Sequence, residues 1–158
     1  MPITVTFLEL TDPVDLRPPT RPPGVEYELA RADEPELGRW FYEEIGRDYD
    51  WIDRLSWPAE RWREWAAAGE GWMATVAGER AGYFSLQREG DSVEIDIFGL
   101  VPAFVGAGIG GHVLCDALRR GLELGDRVWL HTCSLDHPRA LPNYEARGMR
   151  VFKEEIRR

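Results

Sequence analysis

Apolar and polar residues alternate from Ile3 to Leu10 and again over Val25-Glu-Tyr-Glu-Leu29, a period of two that predicts strands with one buried face. Between them, Asp12 to Gly24 holds five prolines and reads as a connector. Asp33-Glu-Pro-Glu36 has the form of a capping box and predicts a helix running to about Ile45. Ser56-Trp-Pro-Ala-Glu60 opens a second helix that ends near Gly69, and Gly46 to Trp57 between the two is aromatic and acidic without a period.

Trp72 to Val76 and Ala81 to Arg88 read as strands joined by a hairpin turn through Ala77-Gly-Glu-Arg80, and Gly90-Asp91 turns the chain into a third, Val93 to Phe98. Strict alternation there puts Val93, Ile95 and Ile97 on one face and Glu94, Asp96 and Phe98 on the other. A glycine-rich loop follows. In the helix after it, Ile109, Val113, Leu114, Ala117, Leu118 and Leu122 recur at helical spacing up to a stop at Gly125-Asp126. Arg127 to Cys133 is the next strand, a helix capped by Asp136 and stopped by Gly148 comes after it, and Met149 to Ile156 is the last strand.

Length and composition narrow the class. A chain of 158 residues, 44% of them apolar, has room for one domain around one core. No stretch approaches the roughly 18 apolar residues of a membrane span, and Met-Pro-Ile-Thr-Val-Thr lacks the layout of a signal peptide, so a cytoplasmic location is expected. Cys115 and Cys133 fall in a predicted helix and strand, which provides neither a disulfide framework nor paired-cysteine zinc spacing, and no metal is expected. The net charge of −9 opposes nucleic acid and anionic membranes as partners. It favours cationic ligands such as amines, although most of these carboxylates serve as a solvating surface.

The chemistry concentrates in Val101-Pro-Ala-Phe-Val-Gly-Ala-Gly-Ile-Gly-Gly-His112. A strand that ends in close-spaced glycines and opens a helix leaves several N–H groups unpaired at the positive helix end, a nest for pyrophosphate. Gly106, Gly108 and Gly110 allow positive φ and let a diphosphate approach the main chain. Gly106-Ala-Gly-Ile-Gly-Gly111 also fits the nicotinamide-dinucleotide fingerprint, with Asp136 as a distant ribose partner. That fold needs the loop after the first strand of a parallel βαβ unit, whereas here an antiparallel meander precedes it. An ATP-type P-loop is excluded because no Gly-Lys-Ser/Thr occurs.

The segment resembles motif A of the GNAT superfamily, Arg/Gln-x-x-Gly-x-Gly/Ala on a strand, loop and helix, through Pro102, Gly108, Ile109 and Gly110. Ala140-Leu-Pro-Asn-Tyr144-Glu-Ala-Arg-Gly-Met149 is similar to motif B, and the element order from Val25 to Ile156 is also that of the superfamily. The resemblance implies a mixed α/β (α+β) fold with a mostly antiparallel sheet of six to seven strands and about four helices. Residues 25–158 would form the domain, with the strand and connector of residues 1–24 packed on it. It also implies acetyl-CoA as cofactor, held by Leu100, Val101, Val105, Gly106, Ala107, Gly108, Ile109, Gly110, Gly111 and His112, with His137, Asn143 and Tyr144. Val105 stands where the family has Arg or Gln, which leaves the pyrophosphate to main-chain donors. His137 takes the place of the usual Asn, and the ring of Pro142 is expected to bend the helix around Tyr144.

Acyl transfer from a thioester to an amine needs a base, a donor to the carbonyl and an acid for the leaving thiolate. The resemblance places a catalytic carboxylate or its water relay on the strand leading into the loop, which makes Glu94 and Asp96 the candidates, Glu94 preferred; a carboxylate beside apolar strands has a raised pKa, which suits a base. The resemblance gives Tyr144 the acid role. The main-chain N–H near Leu100 would meet the carbonyl, with Gly99 marking a bulge. The resemblance makes the connection between the first two helices part of the acceptor wall, here Tyr42, Tyr49, Trp51, Asp53 and Arg54, and aromatics with acids suit a cationic amine. A rival route through a Cys133 thiolate, beside His131 and His137, lacks a third orienting residue. The expected activity is N-acetyl transfer to a primary amine of a small molecule or peptide, with a CoA-binding module without turnover as the alternative. A monomer and a homodimer both remain open.

Overall fold

A computed structural model describes residues 2–158. Along the chain run β1 (Ile3–Leu10), β2 (Glu28–Arg31), α1 (Pro35–Gly46), α2 (Ala59–Ala68), β3 (Gly69–Val76), β4 (Glu79–Glu89), β5 (Ser92–Leu100), α3 (Gly110–Leu124), β6 (Arg127–Cys133), α4 (Ala140–Ala146) and β7 (Arg150–Arg157). The strands form one sheet in the order β2-β3-β4-β5-β6-β1-β7, antiparallel except where β5 meets β6. This is the mixed, mostly antiparallel α/β architecture expected. Among the described residues no helix is long and apolar enough to cross a membrane.

Each face of the sheet buries its own core. The apolar stripe of α3, with Val113, Leu114 and Leu118, packs on Leu8, Phe84, Leu86, Val93, Ile95 and Leu130. On the other face α1 and α2 bring Phe41, Ile45 and Trp62 against Tyr83, Ile97 and Val101. The β3–β4 hairpin closes through Ala77 and Gly78, both at positive φ, the backbone that matches the twist of a two-residue hairpin.

The alternation read from the sequence breaks inside β5. Ser85 pairs with Ile97 but Leu86 pairs with Ile95, so Asp96 is an extra residue, a bulge that turns the strand's faces over. Val93 and Ile95 face α3, whereas Ile97 faces α1 and α2 on the same side as Glu94 and Asp96. Phe98, expected beside the carboxylates, instead packs against the α3 core. The bulge is at Asp96 and not at Gly99, which pairs regularly with Tyr83. Gly99 has a different reason to be glycine: a Cβ there would stand 2.4 Å from Ile45 Cγ2.

Two further local expectations change for one reason, that acidic side chains found tertiary partners. Asp33 does not cap α1; its carboxylate accepts the Gly71 N–H at 2.8 Å and pairs with Arg31 at 2.6 Å. Asp136 does not cap α4; it accepts from the Thr132 hydroxyl and, at 2.9 Å, from the Cys133 N–H. Because α4 begins at Ala140, Pro142 sits in its first turn, where the missing N–H breaks no helical bond. β2 begins at Glu28, later than Val25.

β1 lies between β6 and β7 and pairs with both. The proline-rich arm after β1 then crosses back over the molecule. Its Arg17 N–H donates to Arg147 O at 2.9 Å and its Gly24 N–H to Gly108 O at 3.2 Å.

The close approach at Gly99 gives a stability prediction. Gly99→Ala should cost about 1–3 kcal/mol in urea unfolding through overpacking. Combined with Ile45→Ala it should cost clearly less than the sum of the single changes; strict additivity would show that the contact with Ile45 is not what requires glycine.

Candidate active site

β5 and β6 pair only from Ser92↔Arg127 to Glu94↔Trp129, and then part while β5 runs on to Leu100 and β6 to Cys133. A cleft of about 730 Å³ opens where they separate. It is lined on one side of the sheet by Phe98, Asn143 and Tyr144, and on the other by Ile45, Tyr49 and Trp51. The opening therefore passes through the sheet. A volume in the range of small-molecule and cofactor pockets, roughly 300–1,000 Å³, suits a ligand entering from one face and a second from the other.

The glycine loop forms the floor. After a 3-10 turn at Pro102–Phe104, Gly106 and Gly108 take φ of +88° and +83°, and α3 begins at Gly110, which needs no positive φ. The N–H groups of Gly106, Gly108, Ile109, Gly110, Gly111 and His112 donate to no described residue. Those of Val105 and Ala107 turn inward to Pro102 O and Phe104 O. A Cβ at Gly106 would meet nothing within 4 Å, so the space above it is open. Leu100, Val105, His112, His137 and Asn143 line the cleft; Val101 and Ile109 are buried beneath it. The His137 Nδ1 accepts the Arg139 N–H, and Asn143 Nδ2 lies 3.5 Å from Gly110 O. This row of free donors over open space fits a diphosphate.

The two carboxylates are not equivalent. Asp96 accepts both Arg54 Nη atoms, at 2.7 and 2.8 Å, and Trp65 Nε1 at 2.8 Å. Burial pushes its pKa up, but Arg54 and Trp65 outweigh that and hold it below the usual value. Glu94 has no such partner. Burial, with the charge of Asp96 added, pushes it up to about 7, and His131 Nε2 stands 3.9 Å from its Oε2. Neither carboxylate lines the cleft; Glu94 stands at its closed end, where β5 and β6 still pair.

Tyr144 is buried, with its ring against Phe98, and its hydroxyl bonds to no described residue while the side chain lines the cleft. Burial and the charge of Asp136 push its pKa upward, so it stays protonated. Of the expected acceptor residues, Tyr49 and Trp51 line the cleft, and Trp51 Nε1 donates to Asp136 at 3.1 Å. Tyr42 lies buried behind Trp51 with its hydroxyl accepting the Arg54 N–H, Arg54 is committed to Asp96, and Asp53 is exposed away from the cleft. Cys133 does not line the cleft, and burial raises its thiol. Among the described residues no group of three His, Cys, Asp or Glu could hold a metal ion.

Sequence reasoning missed a third wall. Pro19, Arg21 and Pro22 of the arm line the cleft, together with Arg139 and Arg147. No periodicity ties a proline-rich stretch to a loop more than eighty residues later; only the run of prolines signalled a segment of fixed course.

The model of the acetyltransferase (GNAT) family matches residues 28–149, from the first residue of β2 to the residue before β7. The chain belongs to this family. No curated protein matches its sequence. This GNAT chain is similar in fold to a GCN5-related N-acetyltransferase from Kribbella flavida, with TM-score 0.67 and 18% identity over 97% of this chain and 56% of that one. A GCN5-related N-acetyltransferase from Sphaerobacter thermophilus gives 0.64 and 20% over 98% of this chain and 50% of that one. The chain thus spans about half the length of these two. A transcriptional regulator from Bacillus halodurans C-125 gives 0.66 and 20% over 84% of this chain and 99% of that one.

The environment of Glu94 has a measurable cost. Folded Glu94 keeps its proton from its ordinary 4.5 up to about 7, so its contribution to stability is complete below pH 4.5 and is lost as pH rises through 7. Glu94→Gln does not titrate, and should gain about 3 kcal/mol on the wild type between pH 4.5 and 8. Parallel stability curves for the two proteins across that window would contradict the raised pKa.

Proposed function

We propose that this acetyltransferase moves an acetyl group from acetyl-CoA to a primary amine of a small molecule or peptide, by direct attack with both bound. The observation that carries this reading is the cleft passing through the sheet, with free N–H donors at one end and Tyr49 and Trp51 at the other. The N–H groups of Gly106 and of Gly108 to His112 would hold the diphosphate. Acetyl-CoA supplies the acyl group already activated as a thioester.

The remaining work falls to side chains. An amine attacks only when neutral, and Glu94, near half ionised at neutral pH, accepts its proton. Glu94 precedes Phe98 by four residues of β5, roughly 10–13 Å at strand spacing, so the proton travels through water. Asp96 is the weaker base, because three hydrogen bonds from Arg54 and Trp65 hold it ionised and lower its affinity for a proton. As the nitrogen bonds to the acyl carbon and the carbon–sulfur bond breaks, the Tyr144 hydroxyl gives a proton or hydrogen bond to the departing sulfur. Tyr49 and Trp51 offer aromatic faces to a cationic acceptor.

Incubation with acetyl-CoA and a panel of amines should release free thiol in proportion to one acceptor class. CoA binding without thiol release across a broad panel would instead mark a binding module. With that acceptor, kcat/KM should rise with pH to a plateau through about 7, and Glu94→Gln should remove the rise. Tyr144→Phe should lower kcat about 10–100-fold with CoA affinity kept; an unchanged kcat would remove Tyr144 from the acid role.

A further inference from the structure

The arm between β1 and β2 does more than connect. The Gly24 N–H donates to Gly108 O at 3.2 Å, His112 Nε2 donates to Arg21 O at 2.9 Å, and the Arg17 N–H donates to Arg147 O at 2.9 Å. A Cβ at Gly24 would stand 2.2 Å from Ala107 O, and one at Gly148 would stand 1.9 Å from Asp15 O. These are approaches only glycine permits, so the arm is seated on the glycine loop and on the end of α4. Four prolines between Arg17 and Gly24 restrict its course.

The charges this seating gathers are one-sided. Arg21, Arg139 and Arg147 line the cleft with His112 and His137, and Asp136, already holding Thr132, Cys133 and Trp51, is the one carboxylate among the lining residues. Arg21 and Arg147 pair with no described carboxylate. Arg147 Nε is buried without an acceptor, and its Nη1 lies where a Gly111 side chain would begin, 2.7 Å from that Cβ position. A guanidinium beside the positive end of α3, with no acid between them, is unfavourable in the free protein and is resolved by an anion. In a chain of net charge −9 such a concentration of cations is a local departure.

We infer that the arm is a phosphate clamp: Arg21, carried over the glycine loop by the arm, acts with Arg147 on the phosphates of the CoA nucleotide and supplies the cation that Val105 does not. This rests on the reading of the cleft as a CoA site. Val105 is 42% exposed at the cleft wall and has no donor to offer, so the charge comes from elsewhere in the chain.

Titration calorimetry of wild type, Arg21→Gln and Arg21→Lys with CoA and with pantetheine, which lacks the phosphates, separates the possibilities. Arg21 is exposed, so the variants keep the fold. Arg21→Gln should weaken CoA about tenfold or more and leave pantetheine unchanged, and Arg21→Lys should recover most of the loss. Equal CoA affinity in wild type and Arg21→Gln overturns the clamp alone. An equal loss for pantetheine also overturns it, since the arm would then act only as a wall. Wild type that binds neither ligand overturns the reading of the site, and the clamp with it.

Discussion

The cleft exists because two parallel strands stop pairing, and the ion pair of Arg54 with Asp96 holds the strand that departs. An extra residue in β5 at Asp96 breaks the register with β4 and places Asp96 and Ile97 on one face. A buried carboxylate there is tolerated only because Arg54 and Trp65 satisfy it. Arg54 is itself fixed by the loop between α1 and α2, where its N–H meets Tyr42 and its guanidinium lies 4.8 Å from the ring centre of Trp57. The aromatic stretch that carries no period in the sequence is thus the bracket for the strand bearing Glu94.

That arrangement also sets the two carboxylates apart. They lie two positions apart on one strand and face the same side, yet Asp96 has every partner it needs and Glu94 has burial and a neighbouring negative charge. One is held ionised and the other is poised near neutrality. The difference comes from which residue reached Arg54.

Much of this was legible in the sequence, and the parts that were not share a cause. Helical spacing placed α3, and close glycines after a strand placed the free N–H groups, because both signals are local. Val93-Glu-Ile-Asp-Ile-Phe98 alternates perfectly as text, so nothing in it announces the bulge; the reason for the bulge lies at Arg54 and Trp65. Asp33 and Asp136 looked like helix caps and were claimed by Gly71 and by Thr132, Cys133 and Trp51. The arm's place over the loop and β1's place inside the sheet are likewise long-range facts.

The position of β1 governs when the molecule can be finished. Its partners are Arg127 to Cys133 on one edge and Arg150 to Arg157 on the other, so β1 is without either neighbour until more than a hundred later residues exist. Pairings of such sequence separation are slow to close. The arm behind β1 meets the glycine loop at Gly108 and His112 and the end of α4 at Arg147, contacts of the same long sequence separation. During synthesis, then, the arm is made more than eighty residues before the surfaces on which it sits, and the third wall of the cleft joins the two ends of the described chain.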